Sequence, residues 1–204
     1  MADRSDQRAP VTAAHARRTA AAFCAAVELG SIAVLERRAA LDDTLASCAD
    51  PTVIESIVDD VLKRLKREHP VAAGWVLHDA GRRAASLGDT AVALGNYAHA
   101  RELLANDMSS LAAVALDTAD LLIEIGDLDS AAFHLENARA YWTVAGTISA
   151  RGDAGFMLGD VLAASGRERE ASEAYATAAV DYERAGLEHP AVRCRELAAA
   201  MTAR

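Results

Sequence analysis

The residues that could do acid–base, nucleophilic or metal chemistry are scattered along this sequence rather than grouped. Six histidines and three cysteines occur in 204 residues, and none has the HExxH, Glu-x-x-His or paired Cys and His spacing of metal ligands. His134 and Glu136 lie two residues apart, so a helix would turn them to different faces. No phosphate-binding glycine loop or GxSxG turn is present. The sequence therefore predicts no active site, no metal and no cofactor; an enzyme with an unrecognised helical site is the alternative.

The cysteines indicate the cellular compartment, and the net charge indicates the kind of partner. Cys24, Cys48 and Cys194 are odd in number and far apart, which predicts buried thiols in a reducing compartment, the cytoplasm. The formal net charge of −9 argues against nucleic acid and anionic membranes and favours basic or neutral partners. No apolar run approaches the roughly 18–20 residues of a membrane helix.

Composition and periodicity favour helices. Hydrophobic residues make up 52% of the chain, only 4% are aromatic, and much of the remainder is alanine, which favours closely packed helices over sheets. Residues 1–10 are polar and are predicted to be a disordered tail. Residues 11–70 are predicted to form about three helices that pack on the helices of the second half, and the third has the clearest pattern, with Asp50 as its cap. Its apolar stripe consists of Ile54, Ile57, Val58, Val61, Leu62 and Leu65.

Beyond residue 70 the chain repeats itself. Gly88, Gly126 and Gly166 each come after an apolar helical stretch, at separations of 38 and 40 residues, where a left-handed C-cap favours glycine. Equivalent positions on either side carry small or large side chains in the same order. Seven residues before the anchors stand Gly81, Ala119 and Gly159, five after them Ala93, Ala131 and Ala171, and nine after them Tyr97, Leu135 and Tyr175.

The glycines within the helices predict close helix contacts. Glycine inside a helix costs about 1 kcal/mol relative to alanine, so Gly81 and Gly159 indicate that a neighbouring helix approaches there. Tyr97 and Tyr175 would fill the wider gap beside them. Gly152 is expected to lie outside these contacts, so that Gly152→Ala would be mild.

This pattern resembles the tetratricopeptide repeat family, in which a Leu-Gly pair, a Gly-Asp turn and an Ala-aromatic-Ala series hold adjacent helices together. The copies here exceed the family's usual period of about 34 residues and are similar to its longer-period relatives. The resemblance implies an all-α fold, a right-handed α-α superhelix of about ten helices. Residues 71–187 would form three hairpins, and residues 188–204 a polar capping helix.

Such repeats curve, so the resemblance implies a concave groove lined by the first helix of each hairpin. The predicted groove residues are Trp75, His78, Arg82, Leu116, Asp120, Ile123, Phe156 and Asp160. Apolar anchors combined with acidic groups would suit a peptide that carries a basic residue. The alternative is that Trp75 and Phe156 pack against the N-terminal helices or a second copy of the chain.

The leading functional hypothesis is a non-enzymatic module that binds a protein or peptide: an adaptor, a chaperone, or the sensing part of a bacterial regulator. The alternative from another class is a transcriptional regulator that contacts DNA through residues 11–47. It rests on Arg37 and Arg38 after Gly30, a spacing that weakly resembles a helix-turn-helix. The nearly neutral charge of that segment argues against it, because 10 Lys and Arg face 11 Asp and Glu up to residue 70.

Overall fold

Ten α-helices and no strand make up the described part of the chain, residues 11–202 of a computed structural model. The all-α prediction is confirmed, whereas the predicted tail at residues 1–10 lies outside the described residues. The helices are α1 (Ala13–Glu28), α2 (Val34–Ala46), α3 (Pro51–Leu65), α4 (Pro70–Ser86), α5 (Thr90–Leu103), α6 (Met108–Glu124), α7 (Leu128–Ala145), α8 (Ile148–Ala164), α9 (Glu168–Arg184) and α10 (Glu188–Thr202).

The repeat anchors end the first helix of each hairpin. Gly88, Gly126 and Gly166 have φ values of 81°, 81° and 74°, a left-handed conformation that other residues adopt only at a cost. The amide of the residue after Gly88, Asp89, donates to Ala84 O at 2.9 Å. This bond satisfies a carbonyl at the helix end that would otherwise lack a partner, and it reverses the chain into the next helix.

The helices group into two compact units, Met1–Leu103 and Leu104–Arg204. In the first unit, α1 packs against α2 and α3, and both α2 and α3 contact α4, which forms a hairpin with α5. Its core is centred on side chains that are almost fully buried. They are Phe23, Leu41, Leu45, Ile57 and Leu65.

In the second unit, each helix from α6 to α9 packs against the next one along the chain. Small residues let these helices approach closely: Ala115, Ala138 and Ala154 form one buried cluster, against which Tyr141 and Trp142 pack. At the C-terminal end, α10 buries Ala191 and Cys194 against α9. All three cysteines of the chain are free and buried.

Tyrosine rings fill the space beside three helical glycines, Gly81, Gly152 and Gly159. An ideal Cβ at Gly81 would lie 2.5 Å from Tyr97 Cε1, and one at Gly159 would overlap the ring of Tyr175. Each ring comes from the second helix of the same hairpin. The expectation that Gly152 lies outside the helix contacts is wrong, because a Cβ there would lie 3.0 Å from two ring carbons of Tyr182.

Candidate functional site

A groove of about 570 Å³ in the first unit is bounded by α3, α4 and α5. Its floor is one face of α4, formed by Leu77, Ala80 and Ala84, which are 2%, 0% and 7% exposed. The α3 wall carries Ile54, Val58 and Leu62. These wall residues belong to the apolar stripe of α3, which at 3.6 residues per turn also supplies the side chains buried in the core.

The rim of this groove is acidic along one part of its length. Glu55 and Asp59 stand on the exposed side of α3, and Asp89 stands at the start of α5. Asp89 also caps α5, since its Oδ1 accepts from Val92 N at 3.1 Å. Val92 is 39% exposed and forms part of the apolar edge. A ligand in the groove would therefore meet an apolar floor and exposed carboxylates together.

The opposite end of the groove is polar and basic. Lys66, just beyond α3, places Nζ 3.0 Å from Nε2 of His99, which lines the groove from α5. A lysine ammonium can only donate, so this contact requires Nε2 of His99 to accept. The groove therefore has a direction, with carboxylates towards the start of α3 and an amine at its end.

The corresponding gap of the second unit differs at one notable position on the first helix of the hairpin. Leu77 lies eleven residues before its anchor glycine, and Gly155 occupies the same offset in the third copy. A Cβ at Gly155 would lie 3.3 Å from Nε of Arg139. The polar guanidinium therefore covers α8 where the first unit has an apolar floor.

The groove residues predicted from the sequence are divided between the two units. In the first unit, Trp75 is partly covered, since the Arg38 guanidinium lies 4.7 Å from its ring centroid. His78 is not on an open surface: it is 7% exposed and its ring centroid lies 5.8 Å from that of Tyr97. Arg82 is exposed. Trp75 thus contacts an N-terminal helix, which was the alternative to a free anchor.

In the second unit, Leu116 packs against the alanine cluster of α6, α7 and α8, and Ile123 is half-buried. Phe156 packs against Tyr175 and lies under the Arg193 guanidinium at 5.2 Å. Asp160 accepts a hydrogen bond of 2.6 Å from Tyr175 Oη. Burial raises the pKa of Asp120, and the neighbouring Asp117 and Glu124 raise it further. Several of these residues therefore help to pack or orient the helices.

Sequence reasoning missed the groove between α3, α4 and α5. Ile54, Val58 and Leu62 belong to the predicted apolar stripe, but a stripe alone does not show which of its members a neighbouring helix covers. The signal that could have found the groove was Leu77 and Val92 together, two apolar residues at positions where the third copy has Gly155 and Glu170.

The two arginines of the DNA-binding alternative are not equivalent. Arg38 Nη2 lies 3.7 Å from Oδ1 of Asp79, a buried carboxylate, and Arg38 also covers Trp75. Arg37 is exposed. An arginine engaged within its own unit is a poor phosphate contact, so these positions weaken the alternative.

Asp79 provides a test of this packing by pH. Burial raises the pKa of Asp79, against a smaller opposing effect from Arg38. The folded chain holds the proton of the Asp79 carboxyl more tightly than the unfolded chain does. The contribution of Asp79 therefore favours folding at low pH and is lost as pH rises from the ordinary pKa of Asp through the folded-state pKa.

We expect Asp79→Asn to raise the free energy of unfolding at pH 7 relative to wild type and to give no gain near pH 3. Urea denaturation at both pH values measures this, with Asp43→Asn on the exposed side of α2 as control; a loss of stability at pH 7 would contradict it.

Comparison with solved structures defines the fold. BtubC (BKLC) from P. vanneervenii superposes with a TM-score of 0.58 and 15% identity, over 94% of this chain and 89% of that one. The putative kinesin light chain from Podosopora anserina, with nearly identical TPR-like repeats, superposes with a TM-score of 0.52 and 16% identity, over 94% and 97%.

The chain therefore has the all-α fold of TPR-like repeat proteins, as the repeat pattern predicts. No family model and no curated protein matches it by sequence. None of the helices in the described part of the chain combines the length and the hydropathy that crossing a bilayer requires.

Proposed function

We propose that this chain is a non-enzymatic cytoplasmic module that binds an amphipathic protein segment in the groove between α3, α4 and α5. The observation that carries the proposal is the open groove of about 570 Å³, with an apolar floor and exposed carboxylates on its rim. Apolar anchors supply affinity and the charged rim selects the partner and its orientation. Adaptor, chaperone and regulatory sensor are all roles that such binding could serve.

The chemistry of the groove specifies the bound segment. Its apolar side chains should recur at helical spacing, so that one face packs against the accessible apolar lining at Leu62, Leu87 and Val92. Basic residues should flank that face at the end near Glu55 and Asp59, because opposite charges steer association and like charges oppose it. A carboxylate should lie at the other end, near Lys66.

The faces of the first helices remain proposed binding surfaces, one in each unit. That of the second unit consists of Leu116, Asp120, Ile123, Phe156 and Asp160, and that of the first unit of Trp75, His78 and Arg82. The observation that favours them is that Phe156, Leu116 and Ile123 are only partly buried. The contacts of Trp75 with Arg38 and of Phe156 with Arg193 would have to open for these rings to serve as anchors.

Selection from a phage-displayed library of random 16-residue peptides tests the proposal on the full chain. We expect enriched peptides with an amphipathic apolar face and flanking Lys or Arg. Their affinity should fall about tenfold or more with Val92→Glu, because a carboxylate would be buried against the peptide, and also with Asp59→Lys, which reverses a rim charge.

The matched control is Val144→Glu on α7, where the valine is 72% exposed and outside the groove. Circular dichroism shows whether each variant keeps its helices. Binding that survives Val92→Glu and Asp59→Lys but is lost with Arg82→Glu and Phe156→Ala combined would assign the function to the first-helix faces instead. A library that yields no groove-dependent peptide would also overturn the proposal.

A further inference from the structure

The second unit has a pocket with a basic lining, in contrast to the apolar groove of the first unit. It has a volume of about 380 Å³ and lies between α7, α8 and α9. Its charged lining consists of three arginines, Arg139, Arg151 and Arg184, and one carboxylate, Asp181. Such a concentration of positive charge is not expected from the composition of a chain with a net charge of −9.

The single carboxylate is fully engaged by one of the three arginines. Asp181 is 2% exposed and accepts two hydrogen bonds from Arg151, from Nε at 2.9 Å and from Nη2 at 2.5 Å. This fork-to-fork pair uses both carboxylate oxygens. The charges of Arg139 and Arg184 therefore have no carboxylate to balance them among the lining residues.

Arg139 is held over the pocket by the shape of α8. Gly155 leaves the space that the guanidinium occupies, since a Cβ there would lie 3.3 Å from Arg139 Nε and 3.2 Å from Ala178 Cβ. The Nε of Arg139 is buried and has no hydrogen-bond partner among the described residues. A buried donor without an acceptor is unfavourable, so an acceptor from outside the chain would stabilise this arrangement.

The two threonine hydroxyls of the pocket already donate their hydrogen bonds to backbone carbonyls. Thr143 Oγ1 donates to the Arg139 carbonyl and Thr177 Oγ1 donates to the Glu173 carbonyl, each at 2.8 Å. A ligand would therefore be bound chiefly by guanidinium groups. Arginine presents its donors in a planar fork that fits the oxygens of phosphate or carboxylate.

We propose that the pocket between α7, α8 and α9 binds a phosphate-sized dianion, either free phosphate or the phosphoryl group of a small phosphorylated ligand. Two unbalanced guanidinium charges match a dianion, whereas a carboxylate would neutralise only one of them. Arg139 and Arg184 would contact the anion, and Arg151 would keep Asp181 neutralised beside it. The inference is independent of the peptide groove, which belongs to the other unit.

A titration of the full-length ¹⁵N-labelled chain with inorganic phosphate at constant ionic strength tests the site. Amide and arginine Nε resonances around Arg139, Thr143 and Arg184 should shift in a saturable manner. Acetate and chloride should bind at least about tenfold more weakly. A parallel titration with O-phosphoserine distinguishes the two possible ligands. Tighter binding of O-phosphoserine than of inorganic phosphate would indicate a phosphorylated small molecule, and equal or weaker binding would indicate free phosphate.

Two variants keep the test decisive. Arg184→Gln changes an exposed side chain and should weaken phosphate binding without altering the fold. Adding Arg139→Gln should abolish saturable binding. The control is Arg169→Gln, where the side chain is 88% exposed and outside the pocket. Shifts that do not saturate, that persist in the double variant, or that acetate reproduces at the same concentration would overturn the proposal.

Discussion

Gly159→Leu is expected to destabilise the second unit by about 1–3 kcal/mol or more, the cost of overpacking a filled core. The ring of Tyr175 lies against the backbone of α8 at Gly159, so even a Cβ would overlap its carbons. The phenol also donates a 2.6 Å hydrogen bond to Asp160, which holds the ring in this place. The leucine would therefore have to separate α8 from α9. Thermal and urea denaturation measure the loss.

The matched control is the same substitution at an open helical glycine. Gly95 in α5 has no atom within 4 Å of an ideal Cβ, so Gly95→Leu should be neutral or stabilising because leucine is the better helix former. Gly159→Leu combined with Tyr175→Ala should cost less than the sum of the two single changes, since removing the ring makes room. Equal effects at Gly159 and Gly95 would show that α8 and α9 do not make this contact.

Arg151→Leu is expected to cost about 2–4 kcal/mol, because it leaves the buried Asp181 carboxylate without its partner. The Arg151 side chain is 20% exposed and that of Asp181 is 4% exposed, so some solvent reaches the arginine and the effect should fall below that of a fully buried pair. Equilibrium denaturation at pH 7 measures it. The double variant Arg151→Leu with Asp181→Leu should recover most of the loss, because no charge remains to be desolvated.

An exposed ion pair of the same unit serves as the reference. Arg169 and Glu173 lie four residues apart on α9. Nε of Arg169 is 3.8 Å from Oε1 of Glu173, and the two side chains are 88% and 69% exposed. Arg169→Leu should change stability by no more than about 0.5 kcal/mol. If Arg151→Leu were equally mild, solvent would have to screen Asp181 in solution, contrary to its burial here.

The repeat pattern predicted the fold but not the groove between α3, α4 and α5. Gly88, Gly126 and Gly166 predicted the turns, because a left-handed helix end restricts the residue type locally. Leu77 and Gly155 share one offset in their repeats, yet Leu77 lines an apolar groove, whereas Gly155 leaves room for the guanidinium of Arg139. Which of two similar gaps stays open depends on side chains from neighbouring helices, and the sequence order alone does not show those contacts.

The sequence by itself determined the helices, their ends and the glycine-against-tyrosine contacts within the first and third hairpins, since these depend on residues close together along the chain. Only the tertiary structure decided that Arg38 covers Trp75, that Arg151 neutralises Asp181, and that α3, α4 and α5 together bound a groove. Those features join side chains about 30 or more residues apart, or result from helix packing. Their formation depends on three-dimensional fit, for which local periodicity carries no signal.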